Sequence, residues 1–163
     1  MSNLDRFKTA QDSSDSGFAS ALHEIQSGGK RGHWIWYVFP QLSGLGGSPF
    51  SKRYAIQGAE EAFEYLRDPT LRSRMAAIVT AVAEQLRTDR PKSLSALMGS
   101  DVDARKLVSS LTLFGTIAKK LGLDEGLDDC RVIARAAEEV LAVAAPQDYP
   151  PCAYTLDRLR GLV

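Results

Sequence analysis

The stretch Asp68-Pro69-Thr70-Leu71-Arg72-Ser73-Arg74-Met75-Ala76-Ala77-Ile78-Val79-Thr80-Ala81-Val82-Ala83-Glu84-Gln85-Leu86 is the clearest statement of fold in the chain. Aspartate followed by proline supplies a side-chain cap and then a residue whose missing N–H costs nothing at the first helical position. Leu71, Met75, Ile78, Val82 and Leu86 then recur at three- and four-residue spacings, which place them on one face of a helix. Pro91 ends the pattern. Working back, Ala59, Ala62, Phe63 and Leu66 make a shorter helical face, and Ser48-Pro49 repeats the cap signal for a helix that carries Tyr54 and Ile56, with Gly58 as its break. Phe18, Leu22 and Ile25 form a helix capped by Asp15 or Ser16 and stopped at Gly28-Gly29, with Leu4 and Phe7 in another before it. Working forward, Leu94 and Leu97 mark a turn closed by Gly99. Asp101 or Asp103 then caps a helix through Leu107, Leu111, Phe114, Ala118 and Leu121, with Gly122 as its stop. Asp128 caps Val132, Ile133, Ala136, Val140 and Leu141, and Leu156 and Leu159 hold a last turn after Pro146 and Pro150-Pro151. No repeat and almost no alternating strand pattern interrupts the series. The expected fold is all-α, a compact single-domain orthogonal bundle of about seven helices over residues 1–163.

Length and composition agree with one domain. The 163 residues are 44% hydrophobic and 25% charged, ordinary for a chain with a packed core. Twenty Lys and Arg balance 20 Asp and Glu, which argues against nucleic acid or an anionic membrane as a partner bound through overall charge. The densest apolar run, Trp34 to Pro40, is far shorter than the ~20 residues a membrane span needs. Met1-Ser2-Asn3-Leu4-Asp5 has neither the basic nor the apolar region of a secretory signal, and Cys130 and Cys152 are the two cysteines, so a cytoplasmic protein with reduced thiols is expected.

Several enzyme classes lack their motifs. Gly44-Leu45-Gly46-Gly47-Ser48-Pro49 puts proline where a dinucleotide fingerprint needs glycine, and Gly28-Gly29-Lys30-Arg31 lacks the remainder of a P-loop. No Gly-x-Ser-x-Gly elbow is present. His23 and His33, with two cysteines, make a catalytic zinc site a poor expectation, and no metal or cofactor is assigned.

Chemistry concentrates between Lys30 and Arg53. Both tryptophans, one of two histidines, three of thirteen glycines in a four-residue loop, and the pairs Lys30-Arg31 and Lys52-Arg53 fall within 24 residues. Periodicity fits His33-Trp34-Ile35-Trp36-Tyr37-Val38-Phe39-Pro40 to a buried strand as well as to a buried helix, and the helical surroundings favour a helix. One account of the cluster is core packing by the aromatics with solvated basic pairs. The other is a ligand pocket. Gly46 and Gly47 let backbone approach an anion, Ser48-Pro49 opens a helix with free N–H groups beside Ser51, and Lys52 and Arg53 add charge. Trp34 and Trp36 would be stacking walls, and Gln41 and His33 would supply hydrogen bonds, with His33 the candidate acid/base.

A second unusual stretch is Asp103-Ala104-Arg105-Lys106-Leu107-Val108-Ser109-Ser110-Leu111-Thr112-Leu113-Phe114. Hydroxyls within an apolar helix either bond the preceding turn or point into a polar cavity. Ser109 follows Arg105 by four residues and Ser110 follows Lys106 by four, so each shares a face with a cation. Glu60, Glu61 and Glu64 read as a solvated acidic face, and the two cysteines as packing or surface residues.

These blocks, His33 to Leu42 with Gly44-Leu45-Gly46, Ser51, Tyr54-Ala55-Ile56, Glu61-Ala62, Tyr65-Leu66, Pro69 and Leu71, then Lys106-Leu107 with Ser109 to Phe114, closely resemble the bacterial domain-of-unknown-function family 1810. The resemblance extends over almost the whole chain. It implies a compact all-α domain and no activity, since the family is uncharacterised. Some members carry a "calpastatin" label, which an ordered, non-repetitive chain does not support. The family pattern has an acidic residue three positions before Thr155-Leu156, where this chain has Cys152. The residues together lead to an expectation of a small anionic, phosphate-bearing ligand of nucleotide or ADP-ribose type, bound and in one version hydrolysed. It would be held by Trp34, Trp36, Gln41, Gly46, Gly47, Ser51, Lys52, Arg53, Arg105, Ser109 and Ser110. The alternative is a non-enzymatic helical module in which Trp34 and Phe39 contribute to an exposed patch for a protein partner.

Overall fold

The computed structural model describes residues 3–162, so the reading of Met1 and Ser2 lies outside the described residues. Ten α-helices occur among them: α1 (Asp5–Gln11), α2 (Phe18–Gln26), α3 (Ile35–Val38), α4 (Pro49–Arg53), α5 (Ala59–Arg67), α6 (Pro69–Leu86), α7 (Leu94–Met98), α8 (Asp101–Asp124), α9 (Asp128–Ala144) and α10 (Ala153–Arg158). A 3₁₀ turn at Ala145–Gln147 extends α9. The fold is all-α. The count exceeds seven because the segments expected only as turns, at α7 and α10, and the stretch at α3 that periodicity fits equally to a strand are helices of six residues or fewer, lengths at which a helix leaves almost no periodic signal and is held by tertiary packing.

The caps follow elementary hydrogen bonding. Asp68 Oδ1 accepts from the Thr70 and Leu71 N–H groups at 3.0 Å each, which starts α6 where the sequence places it. At α8 the cap is Ser100, whose Oγ accepts from the Asp103 N–H at 3.0 Å, and not Asp101 or Asp103. The helix then runs through Gly122 to Asp124. Gly122 is there for space: a Cβ would lie 3.0 Å from Arg131 Cγ on α9. Halfway along the same face, a Cβ on Gly115 would stand 3.1 Å from Ala137 Cβ. Small residues thus let α8 and α9 pack closely, and α8 also meets α3, α5, α7 and α10.

The core is one contiguous cluster. Leu107, Leu111, Phe114 and Ala118 of α8 are fully buried, as are Leu71, Ile78 and Val82 of α6. Each large side chain removed from water in this way contributes roughly 1.5–3 kcal/mol before entropy is counted. Phe114 packs on Tyr65 with ring centroids 4.9 Å apart, and Tyr65 meets Phe7 edge-on at 5.2 Å, joining α8, α5 and α1.

The aromatic-glycine segment is helical for one turn only. α3 is followed by a single parallel bridge, Leu42 to Ile56, in which Ser43 N–H donates to Ile56 O and Ile56 N–H to Gln41 O, both at 2.9 Å. The bridge corrects the expectation that Tyr54 and Ile56 belong to the helix opened by Ser48-Pro49, since α4 stops at Arg53. Glu61 is a second correction. It is 7% exposed, because Arg6 reaches across from α1 to pair with its Oε1 at 2.7 Å. Burial of Trp34 and Phe39, each 0% exposed, removes the exposed aromatic patch expected of them.

Candidate functional site

The two stretches singled out in the sequence meet at one cavity of about 430 Å³. The first half of α8 provides Arg105, Lys106 and Ser109, the loop on either side of the Leu42 bridge provides Gln41 and Leu45, and the connection from α9 to α10 closes it with Tyr149, Pro150-Pro151 and Cys152. Its volume falls in the range of small-ligand sites, roughly 300–1,000 Å³.

Charge in the cavity is unequally compensated. Asp101 holds Arg105 at 3.1 Å through Oδ2 and accepts the Tyr149 hydroxyl at 2.7 Å through Oδ1. Those two bonds, the Tyr149 hydroxyl first, hold the Asp101 carboxyl below its ordinary value, and the same contact pushes the Tyr149 phenol up. Lys106 has no carboxylate partner among the described residues. Its Nζ lies 5.0 Å from the centroid of the Trp36 ring, a cation–π contact that leaves the positive charge uncancelled. Trp36 in turn stacks on half-exposed Phe50 at 5.1 Å.

Hydroxyls of α8 divide by the face they occupy. Thr112 Oγ1 donates to Val108 O at 2.7 Å and accepts the Cys152 N–H at 3.1 Å, fixing the start of α10 against α8. Ser110 is fully buried, without a partner, and away from the cavity; Ser109 is 5% exposed, without a partner, and lines it. A buried hydroxyl with nothing to bond is costly and is rare in native proteins.

The remaining residues expected at a site lie elsewhere. Trp34 is fully buried, and its indole N–H donates to Glu24 Oε1 at 3.0 Å, so neither face is open to a ligand. His33 is exposed and does not line the cavity. Gly46 and Ser51 serve the entry to α4, where a Cβ on Gly46 would lie 2.5 Å from Ser51 Cβ, and the Ser51 N–H is already bonded to Ser48 Oγ at 3.1 Å. Gly47 is exposed beside them. Lys52 is exposed, and Arg53 lies over the Tyr54 ring at 5.5 Å with its carbonyl taken by Arg6 Nε at 2.9 Å. The structure therefore brings together Gln41, Arg105 and Ser109, with Trp36 behind Lys106, and leaves His33, Trp34, Gly46, Gly47, Ser51, Lys52, Arg53 and Ser110 outside.

Lys106, Tyr149 and Cys152 line the cavity without having been expected there. Lys106 lies three residues before Ser109, a spacing that shares a helical face as well as the four-residue spacing does. Tyr149 and Cys152 carry no local signal, because only the return of the chain after Pro146 brings them to α8. Among the described residues no group of three or more His, Cys, Asp or Glu could hold a metal ion, and no helix is long and apolar enough to cross a membrane.

The family model described as "Protein of unknown function (DUF1810)" matches residues 1–129. The chain belongs to the DUF1810 family. Within DUF1810, Gln41, Arg105, Lys106 and Ser109 fall in the matched range, whereas Tyr149 and Cys152 come after it. A solved structure, the conserved hypothetical protein Rv1873 from Mycobacterium tuberculosis, is similar to this DUF1810 chain at 32% identity, covers 94% of each chain, and superposes with a TM-score of 0.70. Among curated proteins none matches.

Proposed function

We propose that this chain binds a small phosphate-bearing molecule, of nucleotide or ADP-ribose type, in the cavity between α8 and the α9–α10 connection. The observation that carries the reading is Ser109, whose buried hydroxyl has no partner and lines a cavity shared with Arg105 and Lys106. A phosphate oxygen would accept from Ser109 and face Lys106, the cation without a carboxylate partner, so one ligand group would satisfy both. Gln41 offers an amide for a ribose or base edge, and Leu45, Val102 and the Tyr149 ring offer apolar surface. The reading is of binding rather than hydrolysis: the groups that line the cavity are donors, a phenol and a thiol, and His33 lies away from it.

The test is thermal unfolding of the purified protein against inorganic phosphate, nucleotides, ADP-ribose and sugar phosphates, with tryptophan fluorescence in parallel. A ligand at a hundred times its dissociation constant stabilises the native state by about 2.7 kcal/mol. One compound class should raise Tm, and Ser109→Ala and Lys106→Met should each abolish the rise while leaving the unliganded Tm within a degree or two. No shift with any phosphate compound, at millimolar concentration, overturns the reading.

A protein-binding role is favoured by a different surface. An apolar groove of about 580 Å³ runs between α8, α9 and α10, and it is edged by Leu123, 77% exposed, and Leu156, 47% exposed. Leu123→Lys should leave phosphate binding intact and abolish binding of such a partner.

A further inference from the structure

The two cysteines of the chain occupy opposite environments. Cys130 is fully buried on α9, and burial pushes its thiol up to about 11. Cys152 precedes α10, is half-buried, and lines the cavity that also holds Ser109 and Lys106. Two hydroxyls adjoin it, Ser109 on the same cavity wall and Thr155 in the first turn of α10, and they are 5% and 0% exposed and form no hydrogen bond. A neutral thiol is a weak acceptor and leaves them unsatisfied, whereas a thiolate accepts strongly. Burial works to raise the Cys152 thiol, but the donors open to a thiolate there, the Thr155 hydroxyl and N–H, then the Ser109 hydroxyl and the Tyr154 N–H, outweigh it, so the thiol lies below its ordinary value. The charged and titratable groups on the same wall are Arg105, paired with Asp101, then Lys106, and Tyr149.

We propose that Cys152 is a site of thiol–disulfide exchange, and that the cavity favours small disulfides carrying carboxylates. The orphan hydroxyls of Ser109 and Thr155 solvate the attacking anion, and Lys106 attracts the acid groups of the incoming molecule. In the exchange, Cys152 Sγ attacks one sulfur of the disulfide. The new Sγ–S bond forms as the old S–S bond breaks, and the second sulfur departs with the electron pair and takes a proton from water. Cys152 ends oxidised in a mixed disulfide, half of the reagent ends reduced, and a second small thiol reverses the step. The inference uses the same cavity as the phosphate reading but does not rest on it, since exchange is measured on the free protein.

The experiment compares dithiobis(nitrobenzoate), which carries a carboxylate on each ring, with neutral dithiodipyridine, by stopped-flow release of the reporter thiol and by intact mass. One thiol per chain should react rapidly, about tenfold faster at neutral pH than a cysteine in an unstructured peptide. The fast phase should vanish in Cys152→Ser and persist in Cys130→Ser, with circular dichroism confirming that both variants fold. Ser109→Ala and Thr155→Val should shift the pH midpoint of the rate upward. Lys106→Met should slow the carboxylate reagent several-fold and leave the neutral one unchanged. Reaction no faster than the peptide, or a midpoint unmoved by both hydroxyl deletions, overturns the assignment of Cys152 as an exchange site. Equal rates for both reagents, each corrected for its rate with the peptide, overturn the preference for carboxylates.

Discussion

Glu24 Oε1 accepts the indole N–H of Trp34 at 3.0 Å, and the same oxygen takes the backbone N–H groups of Arg31 at 2.6 Å and Gly32 at 2.8 Å. One carboxylate on α2 thus fixes both the fully buried tryptophan and the loop that leads to it. Burial acts to raise the Glu24 carboxyl, but the three donors and nearby Lys30 outweigh it and hold the group below its ordinary value. A folded-state value below the unfolded one means stability that is present above the ordinary carboxylate range and is lost as pH falls through the folded value. Glu24→Gln should therefore cost about 1–3 kcal/mol at neutral pH, and the gap from wild type should shrink in acid. Urea unfolding followed by tryptophan fluorescence, at neutral pH and at the acid edge of the native range, gives both numbers. A gap that is equal at the two pH values would refute the assignment.

Arg6 and Glu61 form the most enclosed ion pair on the α1 side of the fold, with side chains 12% and 8% exposed. Arg6 also donates to the carbonyls of Arg53 and Ala55, at 2.9 and 2.8 Å, so it ties α1 to the segment that pairs with Leu42. Removing one member leaves a buried charge without its partner, at a cost of about 3–5 kcal/mol, whereas replacing both with apolar groups costs much less. Arg6→Met and Glu61→Leu should each lower stability markedly, and the double variant should lie well above the sum of the two losses. Additive losses in denaturant unfolding would show that the carbonyl contacts, and not the pair, hold α1.

These two relationships show where sequence legibility ends. Asp68-Pro69 and the spacing from Leu71 to Leu86 specify α6 almost residue by residue, because a side-chain cap, a fixed proline φ and a helical period all act locally. Glu61 reads as a solvated acid, since nothing within its own helix reveals an arginine 55 residues away. The site divides in the same way. Arg105 and Ser109 are legible as a cation and a hydroxyl on one face of α8. Gly46, Gly47 and Ser51 look like an anion cradle, yet the Ser51 N–H is taken by the Ser48 cap of α4 and Gly46 lies against the Ser51 side chain. Trp34 and His33 adjoin in sequence, and the one-turn helix α3 sends them to core and solvent.

Gly44, in the same loop as the glycines expected to admit a ligand, makes room for a side chain. It lies at φ 102°, and a Cβ there would stand 2.1 Å from the Tyr154 hydroxyl, which donates to Ser43 O at 2.7 Å. Both the backbone conformation and the close approach demand glycine. Gly44→Ala should cost at least about 1 kcal/mol, and it should push α10 off the Leu42 loop, weakening any ligand-induced rise in Tm. Tyr154→Phe removes the hydrogen bond without the clash and should cost less. If Gly44→Ala is as stable as wild type and responds equally to ligand, the contact does not position α10.

Thr112 supplies the last test, because it holds the cavity's far wall through a single atom. Its Oγ1 gives a proton to Val108 O and receives the Cys152 N–H, at 2.7 and 3.1 Å, in a position 3% exposed. Valine has nearly the same shape but cannot accept, so Thr112→Val leaves the Cys152 N–H without its partner in a part-buried position. The expected loss is about 1–3 kcal/mol, with Thr112→Ser recovering most of it. Amide exchange at Cys152 should accelerate in the valine variant while amides in the middle of α8 keep their protection, since helical N–H groups there do not depend on this hydroxyl. Uniform acceleration along α8 would mean that the variant destabilises the whole fold and that the hydroxyl does not act as a local clasp on α10.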